Sequence, residues 1–250
     1  MNAESAMDPK LAICCATMSP QSHFYPGDIP LWTALQRGLP IIPVHVQHNT
    51  IEDNLGVVGS YQYLYERSHE DLLAFVHDDV IMREEGWNER VIGAFRDESV
   101  GLLGFGGALI HGASDIYKTP YRLQQLGRDG YRSNVDDAEV HGERFTGSCD
   151  VAVLDGFCLI VRRAVLDLIG GWSSIARGAD FFCYDYALCA LVHRLGYRVA
   201  LIGVRCQHRG GVTSVKEKKL AITSQEAYDR SHRWFYENFA DVLPWRCNGS

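Results

Sequence analysis

The sequence predicts an α/β protein built on one central, mostly parallel sheet with helices on both faces. Two observations predict it. Over the first hundred residues, short apolar runs alternate with segments of helical periodicity, which is the pattern of βαβ units. A further strand–helix–strand pattern follows toward the end of the chain and completes the same sheet.

Leu11–Thr17 reads as a first buried strand, ending in the turn signal Ser19-Pro20. Ile41–Val46 is a second, opened by Pro40 and interrupted by Pro43. Proline there marks an edge or irregular strand. From Thr50 to Ser68, Leu55, Val58, Gln62 and Tyr65 recur at helical spacing, with Asn49 or Thr50 as the cap. Leu72–Val76 is a third strand and runs directly into His77-Asp78-Asp79-Val80. Trp87, Val91, Ala94 and Phe95 mark a helix, and Val100–Phe105 a fourth strand. From Gly106 to Asp150 the period is lost and Gly, Asp, Arg and Ser dominate. A long irregular segment inside a compact domain is expected to be functional or mobile. Order returns with a strand at Leu154–Arg162 and a short helix at Ala164–Ile169 closed by Gly170-Gly171-Trp172. An amphipathic helix spans Tyr184–Leu195 with Gly196 just past its end. A last strand at Tyr197–Val204 delivers His208 into a loop, and a helix covers roughly Ser224–Phe239.

The bulk numbers narrow the function classes. A chain of 250 residues with 46% hydrophobic and 22% charged residues buries a sizeable core. With a net charge of -7, no basic face is needed to explain the composition, so nucleic acid is not expected as a main partner. A bound metal ion still supplies the local positive charge that a diphosphate needs. The polar start with Glu4 and Asp8 has no apolar run behind it, and no stretch is apolar enough to span a membrane. A cytoplasmic location is the expectation. Five of the eight cysteines sit in strongly apolar runs and no C-x-x-C occurs, so reduced thiols are expected rather than a zinc site.

Four features bear chemistry. His77-Asp78-Asp79 stands at the carboxyl end of a buried strand, the edge where open α/β sheets bind ligands. Carboxylates there hold a hard divalent cation, although Asp also favours ordinary turns. His208, in Cys206-Gln207-His208-Arg209-Gly210-Gly211, lies just past another strand. Imidazole suits manganese as a ligand, Arg209 is placed to pair with a phosphate, and the glycines allow close backbone approach. Asp185 opens the Tyr184–Leu195 helix, where an ionised carboxylate is favoured and is able to accept a proton; a plain helix-end charge is the bland alternative. Asp155-Gly156 interrupts the apolar strand Leu154–Arg162, either to orient a hydroxyl or to mark the strand's entry.

These pieces stand in the order used by family 2 glycosyltransferases of the GT-A fold, which the chain resembles from about Leu11 to Pro244. The branch it resembles has His-x-Asp in place of Asp-x-Asp. The resemblance implies a disordered N-terminus over 1–10 and one GT-A-like domain over 11–244. That domain comprises a nucleotide-sugar-binding half (11–105), the irregular segment (106–150), and an acceptor and catalytic half (151–244). It implies Asp79 and His208 as ligands of Mn2+ or Mg2+. His77 falls near the donor's ribose, Asp78 beside it, and Thr17 and Asn49 where the nucleotide base sits. Asp155, Gly156 and Trp172 match the segment that contacts donor and acceptor sugars, and Tyr184-Asp185 matches a Glu-Asp pair whose aspartate is the catalytic base, with Tyr184 beside it on the acceptor side. Two departures stand out: His77 replaces an acid, and Tyr184 replaces the glutamate beside the base.

The implied activity is metal-dependent transfer of a sugar from a UDP- or GDP-sugar to a glycan or other hydroxyl acceptor, with inversion. The resemblance leaves room for peripheral membrane contact, and the oligomeric state is not read from it. A non-catalytic nucleotide-sugar-binding relative is the alternative. A nucleotidyltransferase is disfavoured because Thr17-Met18-Ser19-Pro20-Gln21 lacks the basic glycine-rich loop such enzymes carry. A dinucleotide-dependent oxidoreductase is disfavoured because Leu109 takes the place of the third glycine after Gly104 and Gly106. The absence of G-x-S-x-G removes support for an elbow-type serine hydrolase.

Overall fold

A computed structural model of the protein describes residues 8–17, 42–50, 52–111, 130–136, 142–179, 181–208, 225–243 and 245–247. The first half contains β1 (Leu11–Thr17), β2 (Val44–His48), α1 (Gly56–Arg67), β3 (Leu72–His77), β4 (Val80–Met82), α2 (Trp87–Ala94) and β5 (Val100–Gly104). Then come β6 (Gly106–Ala108), β7 (Ile110–His111), β8 (Tyr131–Ser133), β9 (Glu143–Arg144) and β10 (Ser148–Asp150). The second half contains β11 (Val153–Leu154), β12 (Cys158–Arg162), α3 (Arg163–Ile169), α4 (Tyr184–Arg194), β13 (Arg198–Ile202), β14 (Cys206–His208), α5 (Gln225–Phe239) and β15 (Trp245–Arg246).

The central sheet has seven strands in the order β10-β13-β5-β12-β3-β1-β2. β2, β1 and β3 pair in parallel, as do β5 and β13, while β12 is antiparallel to both β3 and β5, and β10 to β13. Five strands therefore run one way and two run back, the mostly parallel sheet that the alternation predicts. β2 lies at the edge, as its prolines require, but it starts at Val44, after Pro43.

Alternate residues of β3 explain its unbroken apolar run. Leu73 and Phe75 face one core, with residues of α1, α3, α4 and α5. Leu72, Ala74 and Val76 face the other, with Trp87, Val91 and Phe95 from α2 and its end. A strand covered on both faces has no polar side to show. Trp172 belongs to the first core and is fully buried, its ring 4.9 Å from Phe75 and 5.1 Å from Tyr61 between centroids. The expectation that Trp172 contacts sugar is therefore corrected: the indole has no exposed face to offer.

Two further differences from the sequence reading bear on the site. The segment 106–150 is not wholly irregular, since its described residues form five short strands. β6, β8, β9 and β11 make a small second sheet, and β10 joins the central one. Glycine hides this pattern: a Cβ on Gly106 would lie 2.3 Å from the Tyr131 hydroxyl, and one on Gly107 2.5 Å from the Val153 carbonyl. Close packing, not solvent, removes the apolar side chains there. Second, the strand expected over 154–162 is two strands broken at Asp155–Phe157, where Asp155 Oδ1 accepts from the Phe157 amide at 3.3 Å. A short aspartate side chain bonding its own downstream backbone favours a turn over a continued strand.

Candidate active site

Two features of topology assemble one cluster at the carboxyl end of β3. β12 runs antiparallel to β3, so the turn before β12 arrives at that edge, and the Phe157 carbonyl accepts from the His77 amide at 3.0 Å. β4 leaves the edge immediately after Asp79 and pairs with β14 in a register that sets Val80 opposite His208. The short β4–β14 ribbon thus carries a residue from near the end of the chain to the mid-chain aspartate.

His77, Asp79 and His208 each present a ligand atom, and these atoms all lie within 4.8 Å of one another. His208 Nε2 is 3.4 Å from Asp79 Oδ1, and Phe157 stacks on the His208 ring with centroids 4.9 Å apart. Asp79 Oδ1 is buried and, beyond that approach, has no hydrogen-bond partner among the described residues. A buried carboxylate oxygen left this way is costly unless a cation answers it. Burial pushes Asp79 up, but His208 and His77 more than offset it and hold the carboxyl below its usual range. Burial, with His208 adding to it, pushes His77 down to about 4. At neutral pH the cluster thus holds an anionic carboxylate and an uncharged His77, the protonation states that metal ligation requires. Two imidazoles and a carboxylate form a mixed nitrogen and oxygen donor set that suits a first-row divalent transition-metal ion better than Mg2+. The resemblance places His77 near the donor's ribose; the structure instead groups it with Asp79 and His208.

The second part of the site surrounds Asp185 in the first turn of α4. Cys183, just before that helix, takes φ of 64°, a left-handed conformation that costs a non-glycine residue energy. Asp185 Oδ1 accepts from the Tyr186 amide at 2.9 Å and Oδ2 from the Gly156 amide at 3.2 Å. Burial, with Asp155 second, raises Asp185 to about 7, tempered by those backbone amides. A carboxyl poised near neutrality is matched to moving protons at that pH. Asp155 in turn accepts from the buried Tyr131 hydroxyl at 3.1 Å.

Gly156 joins the two parts. Its amide serves Asp185, its carbonyl accepts from the Tyr184 hydroxyl at 3.3 Å, and that hydroxyl is 2.7 Å from His77 Nε2. The two departures from the family pattern, His77 and Tyr184, are therefore one contact. A Cβ on Gly156 would lie 2.3 Å from the Tyr184 hydroxyl. Gly156→Ala is expected to destabilise the fold by about 1–3 kcal/mol, since a buried ring must shift to admit the methyl. Urea denaturation checks this, and an unchanged midpoint would refute it.

The remaining sequence candidates fall as follows. Thr17 at the end of β1 donates to Asp78 Oδ2 at 2.6 Å, so both stand at the same sheet edge. Asn49 follows β2, but its buried side chain donates to Ser60 Oγ at 2.8 Å and accepts from the Leu55 amide at 3.3 Å. It anchors α1 rather than opening toward a ligand, which corrects its expected base contact. Arg209, Gly210 and Gly211 lie outside the described residues. Sequence reading missed Phe157 and Tyr131. The first passes for an ordinary apolar strand residue, and the second sits where no period gives a signal.

The sequence model of a family described as "Glycosyltransferase like family" matches residues 42–237. No curated protein is a significant match by sequence. Among solved structures, the chain is similar to A197 from STIV at 16% identity, covering 78% of this chain and 82% of that one, with a TM-score of 0.46. It is similar to the mannosyltransferase PcManGT from Pyrobaculum calidifontis, solved with GDP-Man and Mn2+, at 11% identity, with 93% and 71% covered and a TM-score of 0.46. It is also similar to GalNAc-T7, solved with UDP, GalNAc and Mn2+, at 9% identity, with 94% and 58% covered and a TM-score of 0.49.

Proposed function

The chain belongs to the glycosyltransferase-like family, and from that premise we propose that it transfers a sugar from a nucleotide-sugar donor to an acceptor hydroxyl, with inversion and with a divalent metal. One observation supports this reading above the others. A three-ligand cluster of His77, Asp79 and His208 lies one glycine away from a half-buried carboxyl raised to about 7. Asp79, His208 and His77 would hold the metal, Mn2+ in preference to Mg2+ because imidazole nitrogen suits the softer ion. When bound, such an ion supplies positive charge against the departing nucleoside diphosphate.

The chain's own residues do the rest. Asp185, ionised, takes the proton from the acceptor hydroxyl as the acceptor oxygen bonds to the anomeric carbon and the bond to the diphosphate oxygen breaks. The Gly156 and Tyr186 amides fix both oxygens of Asp185, so its orientation is set before the acceptor arrives. Asp155, held by Tyr131, stands beside it to orient a sugar hydroxyl.

Donor hydrolysis tests the reading. The purified protein with Mn2+ is expected to release the sugar slowly from a UDP- or GDP-sugar, and a chelator is expected to stop it. A protein whose melting temperature rises with a nucleotide-sugar, yet which never cleaves one, would instead be a binding relative without catalysis.

A further inference from the structure

We infer that Tyr184 is a positioning residue that fixes the tautomer of His77 and so turns that histidine into a metal ligand. This rests on the reading of His77, Asp79 and His208 as a metal site.

A phenol has one proton to give. The Tyr184 oxygen stands 2.7 Å from His77 Nε2 and 3.3 Å from the Gly156 carbonyl. The carbonyl is only an acceptor, so the phenol proton that satisfies it must point there. The phenol oxygen then accepts from His77, whose proton sits on Nε2. Nδ1 is left with its lone pair, and it is the one ring nitrogen that this tautomer leaves for a cation at the cluster. In the opposite arrangement Tyr184 would donate to Nε2, the imidazole proton would move to Nδ1, and neither nitrogen would be open to a cation. Metal-bound histidines generally give their other N–H to an oxygen that sets the ring's tautomer and aim. Here a tyrosine backed by a main-chain carbonyl does so.

The fold keeps this relay in place. Tyr184 is buried, with its ring 6.0 Å from Tyr61 and 6.3 Å from Trp172 between centroids, so the ring stays put without its hydroxyl. Gly156 cannot carry a side chain without striking that hydroxyl. The same glycine's amide holds Asp185, so one residue sets both the metal side and the proton-accepting side. The tyrosine thus compensates for the histidine: the change at His77 supplies an imidazole, and the change at Tyr184 tells it which nitrogen to present.

Tyr184→Phe removes one oxygen and leaves the packing, so it separates positioning from folding. Mn2+ affinity, read by titration calorimetry, is expected to fall about 10- to 100-fold. His77→Ala is expected to lose at least as much, and the double variant no more than His77→Ala alone, because Tyr184 acts only through that ring. Nitrogen-15 NMR of the metal-free wild type is expected to show His77 as the Nε2–H tautomer, a signature lost in Tyr184→Phe. A wild type that binds no Mn2+ overturns the metal reading and this inference with it. A wild type that binds Mn2+, loses it with Asp79→Ala, and keeps full affinity with Tyr184→Phe overturns this inference alone. So does a double variant whose loss is the product of the two single losses.

Discussion

Asp185→Asn is expected to lower sugar transfer by about 100- to 10,000-fold while making the protein more stable above neutral pH. The first effect follows from its proposed role as the proton acceptor, for which loss of a positioned base costs that much. The second follows from burial. Asp185 is raised from 3.8 to about 7 in the folded chain, so the fold carries an ionised carboxylate at a penalty. Below pH 3.8 both folded and unfolded states are protonated and the residue is neutral to stability. Between 3.8 and about 7 the folded state keeps a proton that the unfolded state has released, so stability falls as pH rises. Above about 7 the penalty is complete; a shift of this size sets an upper bound on the order of 4 kcal/mol, and the solvent reaching this half-buried carboxyl lowers it. Asparagine has nearly the same shape and keeps an oxygen for the Gly156 or Tyr186 amide. Its advantage should therefore be absent near pH 4, grow through pH 7, and then level off. Urea denaturation at a series of pH values reads this directly. A variant no more stable than wild type at pH 8, or one that keeps a tenth of its transfer, would remove Asp185 from the role. In the wild type, kcat/KM should rise about tenfold per pH unit below about 7, the limb on which Asp185 ionises.

Part of this site is visible in the sequence and part is not. The carboxyl end of β3 is legible because an apolar run from Leu72 to Val76 stops abruptly at three polar residues on the edge where open α/β sheets bind ligands. His208 is legible as a polar residue just past the strand predicted over Tyr197–Val204, but the short strand β14 that carries it, where a loop is expected, is not. Strand direction is not, because a period of two looks the same in either sense. The antiparallel course of β12 is what brings Asp155 and Gly156 to the site, and only pairing partners reveal it. The contact between His77 and Tyr184 joins residues 107 apart, and each alone reads as a departure from a pattern. Trp172 and Asn49 show the reverse. A tryptophan after two glycines suits a sugar platform and a core equally well, and an asparagine after a strand suits a ligand contact and a helix anchor equally well. Burial decides both toward the fold.

Asp79→Ala is expected to abolish stabilisation by Mn2+ and, with it, donor cleavage. In the wild type, an ion that binds only the folded state raises stability by RT ln(1 + [L]/Kd), about 3 kcal/mol at a hundredfold excess over Kd. Asp79 supplies the anionic ligand of the cluster, and its buried Oδ1 has no other hydrogen-bond partner among the described residues to satisfy it. Losing a partner that merely orients a ligand costs about 10- to 100-fold in affinity, so losing the carboxylate itself should leave no thermal shift at millimolar Mn2+. His208→Ala should behave alike, since its Nε2 faces the same oxygen at 3.4 Å. Asp185→Asn should differ, because Asp185 is joined to the cluster through Gly156 and is not one of its ligands among the described residues. That variant is expected to keep the full Mn2+ shift on top of its raised baseline. The two substitutions thus separate the site's halves by stability alone: one removes the metal response and the other retains it, although both stop transfer. An Asp79→Ala protein that still gains stability from Mn2+ would place the ion elsewhere and undo the cluster as a metal site. Equal loss of the shift in Asp185→Asn would show that the carboxyl read as a base belongs to the metal instead.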